Sequence, residues 1–179
     1  MSSSPNIRSL DGRGLFLIGF MGTGKSTVGS LLAARLQRPF VDLDDRIVID
    51  AGATIPEIFA GEGEAGFRAR EAAMLRRVTG EGALVAAIGG GAPCHGDNLD
   101  RLLAAGAVIG LTASVDEILQ RVGDGESRPL LAGKADRRGE IERLLGVRTK
   151  FYSRAHFTVD TTARPPSKVV AEILAALGC

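Results

Sequence analysis

Along this chain, short runs of apolar residues alternate with stretches where apolar positions recur every three or four residues. Leu15 to Ile18 form the first such run, bounded by Gly14 and Gly19, and read as a buried strand. Val28, Leu31, Leu32 and Leu36 then recur at helical spacing until Pro39, and Phe40 to Leu43 read as a second strand. Thr54 and Glu57 stand three apart, the spacing of a capping box, and predict a helix start near Pro56. Glycines 61, 63 and 66 are expected to interrupt that helix. Beyond them Phe67, Met74, Leu75 and Val78 mark the buried face of a longer one. Ala83 to Ile88 predict a third strand, residues 98–105 a short helix, and Ala107 to Leu111 a fourth strand. Ser114 and Glu117 suggest another capped helix start. A charged helix is expected to run to about Ala155, then a strand from His156 to Val159, then a last helix capped by Ser167. Strands alternating with helices are the pattern of βα units, hence an α/β fold with a parallel sheet.

Length and composition narrow the classes. A chain of 179 residues, 45% of them hydrophobic, suits one domain with a sizeable core. Residues 1–13 read as a flexible polar tail and residues 14–179 as a single domain. Residues 123–138, rich in Gly and charge, read as a lid. Lys and Arg number 22 against 21 Asp and Glu, a balance that argues against a general nucleic-acid binder. No apolar run is long enough to span a bilayer, and no signal peptide is visible, so a cytoplasmic location is expected. Two cysteines, Cys94 and Cys179, do not make a disulfide framework, and the adjacent Cys94 and His95 do not make a metal site.

The strongest chemical signal is Gly19-Phe-Met-Gly-Thr-Gly-Lys25-Ser26, which matches G-x-x-x-x-G-K-[ST] between a predicted strand and a predicted helix. Gly22, Thr23, Gly24 and Thr27 belong to the same phosphate cradle, whose backbone N–H groups and helix N-terminus favour anionic oxygens. Lys25 is a mobile positive charge for the terminal phosphates, and Ser26 offers a hydroxyl to Mg²⁺. A GTPase would specify guanine with an Asn-Lys-x-Asp element, yet the only asparagines are Asn6 and Asn98, neither in such a sequence. A motor-type ATPase usually ends the third core strand in an acidic residue, and here that strand runs into Gly89, Gly90 and Gly91. The carboxylates follow the second strand instead, as Asp42, Asp44 and Asp45. Read as strand residues, Asp42 and Asp44 point to one side, where one could support the metal's water shell and the other hold an acceptor hydroxyl. That arrangement fits phosphate transfer from ATP to an alcohol.

Arg68 and Glu71 share a helix face. The triple glycine either brings bare backbone close to a ligand or simply turns the chain. Arg128 falls in the expected lid, where it could close over transferring phosphate. Arg148 lies on the helix beyond, and arginine grips planar carboxylates bidentately.

In combination, GFMGTGKSTVG, PFVDLDDRI, GATIPEIFAGEGEAGFRARE, AIGGGAP, SRPLL and the stretch from Arg148 to Tyr152 resemble the shikimate kinase family from about Leu15 to the end. The resemblance implies a three-layer α/β/α fold with a five-stranded parallel sheet in the order 2-3-1-4-5. It implies ATP and Mg²⁺ as cofactors, shikimate as acceptor, and a monomer. On that resemblance Asp44 binds the acceptor hydroxyls and is placed to take a proton, orientation being the favoured role. Arg68 and Arg148 hold the shikimate carboxylate, steadied by Glu71, with Gly89, Gly90 and Gly91 against the ring. Ile55, Phe59 and Phe67 line the substrate region, plain core packing remaining open for Phe59. Ser26 and, through water, Asp42 hold Mg²⁺. Lys25, Asp44 and Arg128 form the catalytic set, while Arg121 and Arg164 fall where the family packs against adenine. The alternatives are a gluconate or nucleoside monophosphate kinase on the same scaffold, or a nucleotide-binding module without chemistry.

Overall fold

Every residue of the strand Gly14–Gly19 (β1) is buried, which a strand achieves only when both of its faces are covered. In the computed structural model, which describes residues 12–123 and 129–179, β1 is the middle of a five-stranded parallel sheet. The others are β2 (Phe40–Asp42), β3 (Val85–Ala87), β4 (Gly106–Thr112) and β5 (Phe157–Asp160), in the order β2-β3-β1-β4-β5. The order and the parallel direction are as the family resemblance implied, and the register sets Leu15 opposite Val85 on one side and Ala107 on the other.

Strand period two divides the core. Leu15 and Leu17 face a layer made by α1 (Lys25–Leu36) and α7 (Pro166–Leu177), packing with Val28, Leu32, Val169 and Ile173. Phe16 and Ile18 face the opposite layer. That layer holds α2 (Leu43–Ala51), α3 (Ile55–Thr79), α4 (Asn98–Ala105), α5 (Val115–Val122) and α6 (Arg137–Tyr152). Both faces are therefore apolar and covered, and the polar work falls to the strand ends.

The local signals account for most boundaries. Thr54 accepts from the Glu57 backbone N–H while the Glu57 carboxylate accepts from the Thr54 N–H, a capping box worth about 1 kcal/mol. Ser114 caps α5, its hydroxyl accepting from the Glu117 backbone N–H at 3.2 Å. Of the three glycines in α3 only Gly63 leaves helical geometry, at φ 70°, a conformation that favours glycine, and it kinks the helix before Arg68.

Three expectations are corrected. β2 ends at Asp42, and the next residues open α2, a helix the apolar pattern did not reveal. Asp44 is therefore in a helical first turn, and not on a strand beside Asp42. The last helix begins at Pro166 behind Pro165, one residue ahead of Ser167, because proline suits a first turn whose N–H has no helical acceptor.

Candidate active site

The candidate positions among the described residues gather near the C-terminal ends of the parallel strands, where the direction of chain progression reverses on either side of β1. After β1 the chain turns through residues 20–24 into α1. Gly22 and Gly24 sit at φ 77° and 89°, which other residues adopt at a cost, so the loop can curl around a central space. Thr23 is buried and its hydroxyl donates to the Phe20 carbonyl at 2.8 Å, bracing the curl. Lys25 folds back over the loop, its Nζ donating to the Gly19 and Phe20 carbonyls at 3.0 and 2.9 Å.

The end of β2 brings the carboxylates in. Asp42 caps α2, one oxygen accepting from the Asp44 N–H at 3.0 Å. Its other oxygen accepts from the Ser26 hydroxyl at 2.5 Å. A hydroxyl and a carboxylate oxygen thus converge beside the phosphate loop, and hard oxygen donors of this kind suit Mg²⁺. Among the described residues no cluster of three His, Cys, Asp or Glu side chains could hold a metal by itself. Mg²⁺ characteristically takes only one or two protein ligands and completes its shell with phosphate and water, so the donor set fits. The cap that starts α2 fixes Asp42 toward Ser26 and leaves Asp44 in the first helical turn, at the wall of the cleft.

Two clefts meet at Asp44. The first is lined by Gly22, Gly24, Lys25, Ser26, Thr27 and Asp42, and the second by Ile55, Phe59, Phe67, Arg68, Glu71 and Arg148. Met21, Asp44, Gly89 and Gly90 belong to both. The triple glycine is held close from two sides. A Cβ on Gly89 would stand 2.7 Å from Asp44 Oδ1, and one on Gly91 would stand 2.6 Å from Arg68 Nη1. No side chain larger than hydrogen fits there without moving a charged group, so the glycines do more than turn the chain.

In the second cleft α3 presents Arg68 and Glu71, whose Nη1 and Oε2 meet at 2.7 Å, while Arg68 Nη2 reaches Glu64 at 3.3 Å. Glu71 is 1% exposed and Arg68 13%, so this is no surface ion pair. Burial pushes the Glu71 carboxyl up to about 7, against the pull of the Arg68 guanidinium, with the Asp44 charge adding to the rise. Arg148 comes from α6 and is 7% exposed, its guanidinium 5.7 Å from the centre of the Phe20 ring. Phe59 and Phe67 pack 4.8 Å apart on the cleft wall, and the Arg68 guanidinium lies 5.3 Å from the Phe67 ring centre. Phe59 is thus both cleft wall and packing partner. Two guanidiniums, that of Arg148 buried and that of Arg68 largely so, share the cleft with Asp44 and with a Glu71 carboxyl raised to about 7, so cationic groups are available there to an organic anion.

Arg121 and Arg164 line a third depression with Thr27, Thr161 and Pro166, and Arg121 also borders the phosphate cleft. Arg121 is already engaged: it donates to Glu117 at 2.9 Å, to the Gly22 carbonyl at 3.1 Å and to Thr161. Arg164 donates to the Asp160 carbonyl and to Glu172 at 2.8 and 2.6 Å. Arg128 lies outside the described residues; Pro129 and Leu130 directly after it border the acceptor-side cleft. One residue that pattern reading left without a role is Tyr152, one helical turn beyond Arg148. Its hydroxyl donates to the Gly90 carbonyl at 2.5 Å and so tethers α6 to the triple glycine. Its i, i+4 spacing from Arg148 was the available signal.

A phosphate loop opening α1, a hydroxyl–carboxylate pair beside it and an adjoining cleft that holds two guanidiniums define a P-loop phosphotransferase of the small-molecule kinase type. The shikimate kinase family model matches residues 21–178. The chain is 45% identical over 166 residues to the shikimate kinase of Pseudomonas savastanoi pv. phaseolicola, covering 92% of this chain and 96% of that one. It is 46% identical over 162 residues to that of Geobacter metallireducens, covering 90% and 89%. A shikimate kinase from Acinetobacter baumannii, solved in complex with shikimate, superposes with a TM-score of 0.89 at 38% identity, covering 95% of each chain. A gluconokinase from Sinorhizobium meliloti, at 19% identity and a TM-score of 0.62, shares the fold. The chain belongs to the shikimate kinase family.

Proposed function

We propose that this protein transfers the γ-phosphoryl group of ATP to the 3-hydroxyl of shikimate, giving shikimate 3-phosphate and ADP. The observation that carries the reading is the shared wall of the two clefts. Asp44 stands where the phosphate cleft opens into a cleft with two buried guanidiniums, so a hydroxylated carboxylic acid can meet a terminal phosphate there.

Each side chain then has a task. Arg68 and Arg148 receive the acceptor's carboxylate, Glu71 fixes Arg68, and Gly89, Gly90 and Gly91 let the ring approach. Ile55, Phe59 and Phe67 cover its apolar side. Asp44 accepts a hydrogen bond from the attacking hydroxyl and aims its oxygen. Because transfer passes through a loose transition state, orienting the hydroxyl outweighs removing its proton early. The N–H groups of Gly22, Thr23, Gly24, Ser26 and Thr27 meet the phosphate oxygens. Lys25 leaves its loop carbonyls to meet the charge that develops during transfer. Ser26 directly, and Asp42 through water, would hold Mg²⁺, which when bound neutralises charge on the transferring phosphates. Arg121 and Arg164 border the base of the nucleotide. Residues 123–138 form the lid, with Arg128 reaching the phosphates; Pro129 and Leu130 on the acceptor cleft support a closing segment there. We take the protein to act as a monomer in the cytoplasm; among the described residues no helix is long and apolar enough to cross a membrane.

The deciding experiment is ADP release with ATP and Mg²⁺, with shikimate, gluconate or a nucleoside monophosphate supplied in turn. Strong release with shikimate alone is expected. Release without regard to acceptor, or with another acceptor only, would overturn the assignment.

Arg68→Ala should raise the dissociation constant for shikimate on the order of a hundredfold, since a desolvated charge-assisted pair is lost, and change the KM for ATP less than about threefold. Equal losses for both ligands would remove Arg68 from the acceptor site.

The raised carboxyl of Glu71 also makes acceptor binding pH-dependent. Bringing a second carboxylate against the Arg68–Glu71 pair pushes the Glu71 carboxyl higher still, so binding takes up a proton. Affinity must therefore fall as pH rises through about 7, where Glu71 ionises. Calorimetric titration of shikimate in the absence of nucleotide should show a several-fold weakening from about pH 6 to about pH 8. Glu71→Gln should flatten that dependence, and a slope unchanged in this variant would place the titrating group elsewhere.

A further inference from the structure

Behind the phosphate loop, at the end of β5, Thr161 is a polar side chain only 3% exposed, and no step proposed above uses it. Its hydroxyl accepts from Arg121 Nη1 at 2.9 Å. It faces two carbonyls, that of Thr112 at 2.9 Å and that of Thr23 at 3.1 Å. One hydroxyl carries one proton. The hydroxyl is within donating distance of both carbonyls, and since the Thr112 carbonyl is already served by the Thr161 backbone N–H at 2.9 Å, a proton given to Thr23 satisfies both. Arg121 completes the brace: its Nη2 donates to the Thr161 carbonyl at 2.8 Å, and its Nη1 also reaches the Gly22 carbonyl at 3.1 Å. Glu117 holds the same guanidinium from α5.

We infer that Thr161, acting with Arg121, is a positioning residue for the phosphate loop, presetting the loop for nucleotide from behind. The physical step is short. A trans peptide sends its N–H opposite to its C=O, so fixing the Thr23 carbonyl on Thr161 fixes the direction of the Gly24 N–H, a donor of the phosphate loop. Gly24 sits at φ 89°, and a glycine at such a position has wide backbone freedom, so an unbraced loop would rotate this peptide at little cost. The brace confines that freedom before nucleotide arrives, so less ordering remains to be done on binding. The neighbouring Thr23 hydroxyl is turned inward to Phe20 and cannot serve. Thr161 thereby couples the β5 end, 138 positions away in sequence, to the loop that closes on phosphate.

This inference rests on the kinase reading, and its test separates the two. ADP binding is measured calorimetrically for the wild type, Thr161→Val, Thr161→Ala and Thr161→Ser, with folding checked by circular dichroism. Both hydroxyl-free variants should bind ADP roughly tenfold more weakly, the loss of one buried hydrogen bond with its ordering. Shikimate affinity should stay within about twofold in both, and Thr161→Ser should restore ADP binding. The alanine variant removes any crowding that valine brings, so either one, once folded, gives the answer. Normal ADP affinity in a folded hydroxyl-free variant would overturn the inference, as would equal weakening of shikimate and ADP. A wild type that binds no ADP would instead overturn the kinase reading itself.

Discussion

Lys25→Met should reduce kcat roughly a thousandfold while leaving the melting temperature nearly unchanged. The side chain is only partly buried, and its Nζ rests on the Gly19 and Phe20 carbonyls at the mouth of the phosphate cleft. Water can reach those carbonyls once the ammonium is gone, so the fold loses little. Methionine keeps the length of the stem and removes the charge. Phosphoryl transfer offers the protein little covalent chemistry, so a cation that strengthens its contact as charge develops is worth most in the transition state. The effect should thus appear in kcat more than in the KM for ATP. Coupled ADP-release kinetics with a thermal melt reads both quantities. Turnover within tenfold of wild type would refute the role of Lys25, and a collapsed melting temperature would mean it braces the loop.

Asp44→Asn should lower kcat by about two to three orders of magnitude, with a smaller change in either KM. Asparagine preserves shape and still offers a carbonyl to the acceptor hydroxyl. What it loses is the negative charge that holds the hydroxyl firmly and favours its proton leaving. Since Asp44 stands in the wall common to both clefts, the loss should fall on the step that joins their ligands. There is a second, independent readout. The Asp44 charge contributes to the rise of the Glu71 carboxyl, so Asp44→Asn should move the pH dependence of shikimate binding to lower pH. Near-normal turnover would make Asp44 a bystander, whereas lost turnover with an unshifted binding profile would separate its catalytic part from its electrostatic one.

Much of the site was legible because its chemistry is local in the chain. The phosphate loop is eight consecutive residues, and glycines at fixed offsets state which backbone angles they adopt. The capping box at Thr54 and the N-cap at Ser114 were legible for the same reason, since the partners are three residues apart. Asp42 and Asp44 show the limit of that reading. As neighbours in a run they suggested a strand, but the cap formed by Asp42 ended β2 and started α2, whose apolar spacing, Leu43, Ile47 and Ala51, covers only two turns and begins at the residue read as the end of the strand.

By itself, then, the amino-acid sequence determined the βα alternation, the phosphate loop and, through motif resemblance, the family and its strand order. The first two follow from contacts between near neighbours and from apolar periodicity, the last two from the resemblance alone. Only the tertiary structure decided what the charged residues are to one another. Arg68 and Glu71, worth little as a pair on an isolated helix, become a buried pair whose carboxyl titrates near neutrality because the sheet and α6 remove water from around it. Tyr152 finds the Gly90 carbonyl 62 positions away, and Thr161 finds that of Thr23 138 positions away. No spacing in the chain encodes such meetings, because they depend on where the strand ends converge, and desolvation, which sets their strength, exists only once the layers have closed.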